Sequence, residues 1–308
     1  MIQKRKSFFG SSKIFNLGPD LQSMATISET DLILNPDGSV YHLHLLPQHI
    51  ADTIIAVGDP DRVQAVSRYF DSVEFEISRR EFVTHVGKYK GKKMTVISTG
   101  IGTDNIEIFF NEIDALVNID LKKRRPKSRK KKLKIIRIGT SGSLQEDVPL
   151  GAHLATEYAI GLDNLMNFYK LPMREVETDV AKNLQKKAGL PFLPYVVKGS
   201  DLLRKQIGFD MIVGNTITCP GFYAPQGRVL RVPIRFPRLI ETLNVYRKGT
   251  FRLTNFEMET SAYYAMARLL GHEALSTNAI IANRIKRRFS GDPHQAVNNL
   301  IKKVLDRI

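Results

Sequence analysis

The residues best suited to chemistry begin with Phe222-Tyr223-Ala224-Pro225-Gln226-Gly227-Arg228. Gln226 carries a primary amide, which donates one hydrogen bond and accepts another. Arg228 carries a guanidinium, which only donates. A flat ring offering N–H beside C=O, with a second C=O beyond, would satisfy the pair. Uracil is such a ring, and Phe222 could cover its face. Donors at its carbonyls would also stabilise the negative charge it gains as a leaving group. Gly and Pro in the same stretch make it a loop.

A second set has the chemistry of an oxyanion site. In Gly58-Asp59-Pro60-Asp61-Arg62 a glycine lets backbone N–H groups approach an anion, and Arg62 follows to bind it. Arg137 and Thr140 lie in Arg137-Ile138-Gly139-Thr140-Ser141-Gly142, around an expected strand-to-loop break. Ligand sites of open α/β sheets collect at such breaks. Arg80, in Ser78-Arg79-Arg80-Glu81-Phe82, is a third cation. Three arginines, a hydroxyl and a glycine loop suit a phosphate dianion.

Glu257-Met258-Glu259 places two carboxylates two residues apart. In an extended segment they face one side, where a carboxylate can accept from both hydroxyls of a ribose. Acids here would equally stabilise a helix start. A glycosidase pair needs carboxylates about 5 Å or more apart across the scissile bond, which neighbours on one strand do not supply. His42 and His44 have the spacing of a metal pair, but no third ligand follows at convincing spacing, so no metal is expected. Thr99-Gly100-Ile101-Gly102-Thr103-Asp104-Asn105 opens like a dinucleotide fingerprint. Asn105 stands where the third glycine belongs, so NAD is not expected.

The elements that must position these groups follow from periodicity. Thr53-Ile54-Ile55-Ala56-Val57 and Met94-Thr95-Val96-Ile97-Ser98 are short apolar runs ending near glycine, and read as buried strands. Ile135-Ile136-Arg137-Ile138-Gly139-Thr140 reads as a third strand. Others are expected near 151–160, 211–219 and 274–283. Asp104 offers an N-cap. Ile106, Phe109, Phe110, Ile113, Leu116 and Val117 then follow at helical spacing. A helix over 263–270 stops at Gly271, and an amphipathic helix runs from Asp292 to the end. Continuously apolar strands imply cover on both faces, hence one α/β domain.

The 308 residues suffice for such a domain, with 43% hydrophobic residues and a mean hydropathy of -0.19. One cysteine, Cys219, fits a reducing compartment, and a cytoplasmic location is expected. No apolar run approaches the roughly 20 residues of a membrane helix. Residues 1–35 are expected to form a flexible N-terminal extension, and the catalytic domain to span 36–308. The net charge is +15, and residues 122–134 hold ten basic residues and no acid. Such a run repels itself and is expected to be a solvated surface insertion. It lacks interleaved aromatics that could stack on bases, so nucleic acid is not an expected partner.

In order along the chain, the Gly58–Arg62 segment, Ser98-Thr99-Gly100-Ile101-Gly102, the Arg137–Gly142 segment, the Phe222–Arg228 loop and Phe256-Glu257-Met258-Glu259 resemble the motifs of uridine phosphorylases. The resemblance runs from about Tyr41 to the C-terminus, outside residues 1–35 and the basic insertion. It implies a three-layer α/β/α domain around a mixed, strongly curved sheet. It implies reversible phosphorolysis of uridine to uracil and ribose 1-phosphate, with inorganic phosphate as co-substrate and no cofactor. Gly58, Arg62, Arg80, Arg137 and Thr140 match phosphate binders, with Arg80 reaching in from a neighbouring subunit. Met258 and Glu259 match ribose contacts, and His42 a histidine that closes over the sugar from that neighbour. Phe222, Gln226 and Arg228 match the base binders. Arg62, Arg137 and Arg228 would carry the catalysis, and the working unit would be at least a dimer. Purine members of the family carry a Ser-Asp pair after the late strand, whose Asp protonates the base. This chain has Ile281-Ala282-Asn283-Arg284 there, which favours a pyrimidine. A purine nucleoside phosphorylase or a nucleoside hydrolase of the same fold is the alternative.

Overall fold

The computed structural model describes residues 26–308. The first half contains β1 (Thr53–Val57), α1 (Asp61–Ser67), β2 (Ser72–Arg79), β3 (Phe82–Tyr89), β4 (Lys92–Ser98), α2 (Thr103–Asn118) and β5 (Lys134–Ser143). Then come β6 (His153–Gly161), α3 (Glu175–Ala188), β7 (Tyr195–Lys198), α4 (Asp201–Ile207) and β8 (Ile212–Thr218). The chain finishes with α5 (Leu239–Val245), β9 (Asn255–Glu257), α6 (Thr260–Leu270), β10 (Glu273–Asn283), β11 (Arg288–Phe289) and α7 (Pro293–Leu305).

These strands form one eleven-stranded mixed sheet in the order β11-β10-β6-β8-β9-β5-β1-β4-β3-β2, with β7 added to β6. A further parallel pairing of β10 with β5 closes part of it into a ring. The sheet is therefore curled back on itself, as the strong curvature expected from the resemblance requires.

Alternation along β1 explains the three layers, because successive side chains of a strand point to opposite faces. Ile54 and Ala56 join α2 and α6 through Phe109, Phe110, Tyr263 and Met266. Ile55 and Val57 join α1, α4 and α7 through Val63, Leu203 and Leu300. Both faces are covered, so the strand reads as a continuous apolar run. The helical stripe expected on α2 is fully buried at Ile106, Phe109, Phe110, Ile113 and Leu116.

Local expectations needed correction at two places in the regular elements. Gly102, not Asp104, occupies the N-cap of α2, with φ 99, a backbone that a side chain resists. Asp104 sits inside the first turn, where its charge still faces the positive helix end. The third strand does not break at Thr140 but runs on to Ser143. It continues because it changes partners: β1 accompanies it only to Ile138, and β9 takes over at Gly142.

The basic segment lies at the surface, as expected, and is also held there by specific contacts. Lys127 and Lys130 donate to the carbonyls of Val117 and Asn118, at the negative end of α2. Lys131 pairs with Asp52 and Lys132 with Glu273. The Arg124 guanidinium grips the carbonyls of Ile27, Ser28 and Leu32. Leu32 is buried as well, so residues 26–35, assigned by sequence to the extension, pack on the domain. Residues 1–25 of that extension lie outside the described residues.

Candidate active site

One cavity of about 710 Å³ opens where β1, β4 and β9 end and β5 exchanges partners. Gly58, Arg62, Arg137, Thr140, Phe222, Gln226, Arg228, Met258 and Glu259 all line it. They come from segments far apart in sequence. The parallel strands deliver them because β1, β4 and β5 run the same way, which puts their following loops at one edge.

At one end, Arg137 lies almost wholly buried on β5. Its Nη2 reaches Glu259 Oε2 at 2.6 Å and Glu257 Oε2 at 3.0 Å. Its Nη1 donates to Asn278 Oδ1 at 3.0 Å. Burial opposes the charge, but Glu257 and Glu259 more than offset it and hold the guanidinium ionised. Burial, with Glu257 alongside, raises the Glu259 pKa against the pull of Arg137. Two carboxylates share one guanidinium, so the cluster favours a second cation nearby.

Arg62 supplies that cation. It stands on α1 after the Gly58 loop, and its guanidinium donates to the Ile138 carbonyl at 3.3 Å. Burial lowers its pKa, with Arg137 adding repulsion. An anion entering beside Arg62 would relieve both effects.

The two glutamates have different tasks. Glu257 accepts from Thr218 Oγ1 at 2.8 Å and from the backbone N–H of Glu259 and Thr260, which fastens β9 to the start of α6. Glu259 accepts from the Gly102 N–H at 3.0 Å while facing Arg137, and remains on the cavity wall. The carboxylates converge on one guanidinium, so they do not flank a bond as a glycosidase pair would.

The base-side loop is a single 3₁₀ turn over Ala224–Gln226, ended by Gly227 at φ 66. Arg228 Nη1 donates to Gln226 Oε1 at 2.7 Å and to the Phe222 carbonyl at 2.5 Å. Its guanidinium also lies 3.7 Å from the Phe222 ring centroid. Arg228 thus stacks on Phe222, and Tyr223 packs edge-on against the same ring with centroids 5.4 Å apart. Burial, then repulsion from Arg284, pulls the Arg228 pKa down to about 10.

Arg80 and His42 do not line this cavity. Arg80 sits exposed in the β2–β3 turn with φ 52. His42 Nδ1 meets Glu112 Oε1 at 2.6 Å. His44 faces Asp37 and Asn35 instead, so the two histidines share no partner.

Several further residues at the site were not assigned to it from the sequence. Arg284 Nη1 donates to the Gln226 carbonyl at 3.0 Å and steadies the base-side loop. Asn278 and Ser276 hold Arg137 from β10. The clue for this pair was three consecutive polar residues, Ser276-Thr277-Asn278, within an otherwise apolar strand. Glu81 and Asn105 also reach the cavity wall.

Comparison with known proteins agrees with this geometry. The family model of the Phosphorylase superfamily matches residues 52–308. A uridine phosphorylase of Thermococcus kodakarensis is 29% identical over 253 residues, covering 82% of this chain and 80% of its own length. A DeoD-type purine nucleoside phosphorylase of Listeria welshimeri is 27% identical over 243 residues, covering 76% of this chain and 83% of its own. Among solved structures, a Trypanosoma brucei nucleoside phosphorylase described as showing uridine phosphorylase activity superposes with a TM-score of 0.82 at 32% identity. That match covers 90% of this chain and 99% of the other. The fold is the expected α/β/α phosphorylase fold, and the chain belongs to the phosphorylase superfamily.

Proposed function

We propose that this protein catalyses the reversible phosphorolysis of uridine to uracil and ribose 1-phosphate, as a pentosyltransferase of pyrimidine salvage in the cytoplasm. The observation that carries this reading is convergence. Arg62, Arg137 and Thr140 share one cavity with Gln226 and Arg228, although up to 166 residues separate them in sequence.

The mechanism follows from where the charges lie. Cleaving the glycosidic bond builds positive charge on ribose and negative charge on the base. Phosphate held by Arg62, Arg137, Thr140 and the Gly58 loop stabilises the sugar cation and then attacks it. Glu259 and Met258 hold the ribose. Arg228 and Gln226 donate to the departing uracil, and Phe222, on the cavity wall, packs against it. Holding both reactants in register supplies on the order of 7–11 kcal/mol of the barrier in good intramolecular systems. No step calls for a cofactor. Arg80 and His42 stand outside the cavity of their own chain, which suits service in a neighbour's site and an assembly of at least two chains.

A purine substrate is the competing reading, because purine enzymes are among the relatives. The Asn283 amide argues against it. Its Nδ2 donates to the carbonyls of Gln145 and Val148 at 2.9 and 3.1 Å, and it does not line the cavity. Ile281 and Ala282, which line the cavity at this point, offer no acid to protonate a purine. The test is a nucleoside panel incubated with and without phosphate, with the released base identified. Uracil released only with phosphate is the expected result. Release without phosphate indicates a hydrolase, and preferential release of a purine overturns the assignment.

A further inference from the structure

The basic run, which the proposed reaction leaves unused, walls a second cavity. This cavity measures about 670 Å³ and lies at the opposite end of the parallel strands. Thr53, which starts β1, and Lys134, which starts β5, both line it, whereas the substrate cavity lies past the far ends of those strands. Five residues of β1, roughly 17 Å of extended chain, run between the two.

Four lysines from two segments line this second cavity: Lys92 and Lys93 from the start of β4, Lys131 and Lys134 from the basic run. Lys90 and Gly91, at φ 48 and 73, form the tight turn that delivers the first two. Only Lys131 has a carboxylate side-chain partner among the described residues, Asp52 at 2.5 Å. Lys92 and Lys93 donate to the Ile308 and Gln48 oxygens. Lys134 makes no ion pair with an acidic side chain among the described residues. The rest of the lining is largely apolar, with Ile136 and Leu203 essentially buried.

We propose that this cavity is a second binding site, for a nucleoside polyphosphate. Clustered ammonium groups are compact point charges with rotatable donors, suited to a polyphosphate chain rather than to one planar carboxylate. The apolar part of the lining suits a flat heterocycle, and the volume is that of an ordinary small-molecule site. The site stands apart from the proposed reaction and does not depend on it.

The experiment is isothermal titration of the full chain with adenosine triphosphate, inorganic triphosphate and adenosine, at low ionic strength. Its key comparison is the Lys93→Glu/Lys134→Glu variant. Neither lysine lines the substrate cavity, so the variant locates the binding whatever that cavity holds. The nucleotide should bind the parent, and the variant should lose about tenfold or more in affinity while keeping parental nucleoside turnover. Inorganic triphosphate should bind more weakly than the nucleotide, because it leaves the apolar part of the lining uncovered. If the glutamates disturb folding, Lys93→Gln/Lys134→Gln removes the charges without reversing them and must show the same loss. Absence of nucleotide binding overturns the proposal. So does equal affinity in the variants, or triphosphate binding as tightly as the nucleotide.

Discussion

Arg137 folds back over Gly139 on its own strand. A Cβ built at Gly139 would lie 2.0 Å from Arg137 Nη1 and 2.6 Å from its Cζ. The absence of a side chain at 139 is what lets the guanidinium reach Glu257, Glu259 and Asn278 at once. Gly139→Ala should expel it and leave two buried carboxylates without their cation. Breaking a buried pair in this way costs on the order of 3 kcal/mol. Both the melting temperature and kcat/KM for uridine should fall. Parental values for both would show that Arg137 has another way into the cluster.

Arg228 tests the base side. Arg228→Ala should lower kcat/KM by about 10²–10³, the usual loss on removing one donor to a developing anion. The fold should survive, because the hydrogen bonds of this guanidinium stay within its own loop, to Gln226 and Phe222. Activity within a few-fold of the parent would take Arg228 out of the mechanism.

Arg62 tests the phosphate side. Its guanidinium has one weak carbonyl contact and no paired carboxylate among the described residues. Arg62→Ala should therefore raise KM for phosphate roughly 10- to 100-fold, the worth of a hydrogen bond to a charged group. KM for uridine should change much less. The measurement is initial rate against phosphate concentration at saturating uridine, and an unchanged phosphate KM would contradict the assignment.

Asn283 tests whether an acid at the end of the late strand is enough to confer purine cleavage. Asn283→Asp would point an acceptor at the two carbonyls that the amide now donates to. The expected cost is about 1–3 kcal/mol of stability, with no gain in inosine turnover. A clear gain in purine cleavage would mean that the residue can turn into the cavity.

Glu177 sets an acid limit on the fold. It is fully buried and pairs with Arg268 through both oxygens, at 2.6 and 2.7 Å. Burial works to raise its pKa, but Arg268 and the backbone N–H groups of Arg174 and Lys198 lower it overall. A carboxylate depressed by folding contributes stability above its unfolded pKa, and loses it as pH falls through the folded one. Denaturant melts of Glu177→Gln against the parent should show a deficit near pH 7 that shrinks below about pH 4. A deficit constant across that range would mean that the charge is not what stabilises the pair.

The local parts of this protein were legible in its sequence. The apolar run of β1 and the stripe of α2 report burial, which depends on period and residue type within one element. Loop chemistry was legible too, since Gly58 and the Phe222–Arg228 segment occur in a fixed order that few families share. Element ends were less so. Thr140 reads as the end of a strand, yet β5 passes through it because a new partner strand continues the hydrogen-bond ladder.

What the tertiary structure alone decided is which distant groups meet. Glu259 and Arg137 are 122 residues apart, and their pairing required β9 and β5 to lie side by side in a ring closed by β10. Nothing in the local pattern signalled that the basic run would find the helix end of α2, the acids at 52 and 273, and a cavity of its own. The physical reason is the range of the forces that leave a trace. Periodicity records which side of an element is dry, and it does so over a few residues. Ion pairing and strand closure are settled only when remote segments share one desolvated space, which no short stretch of chain encodes.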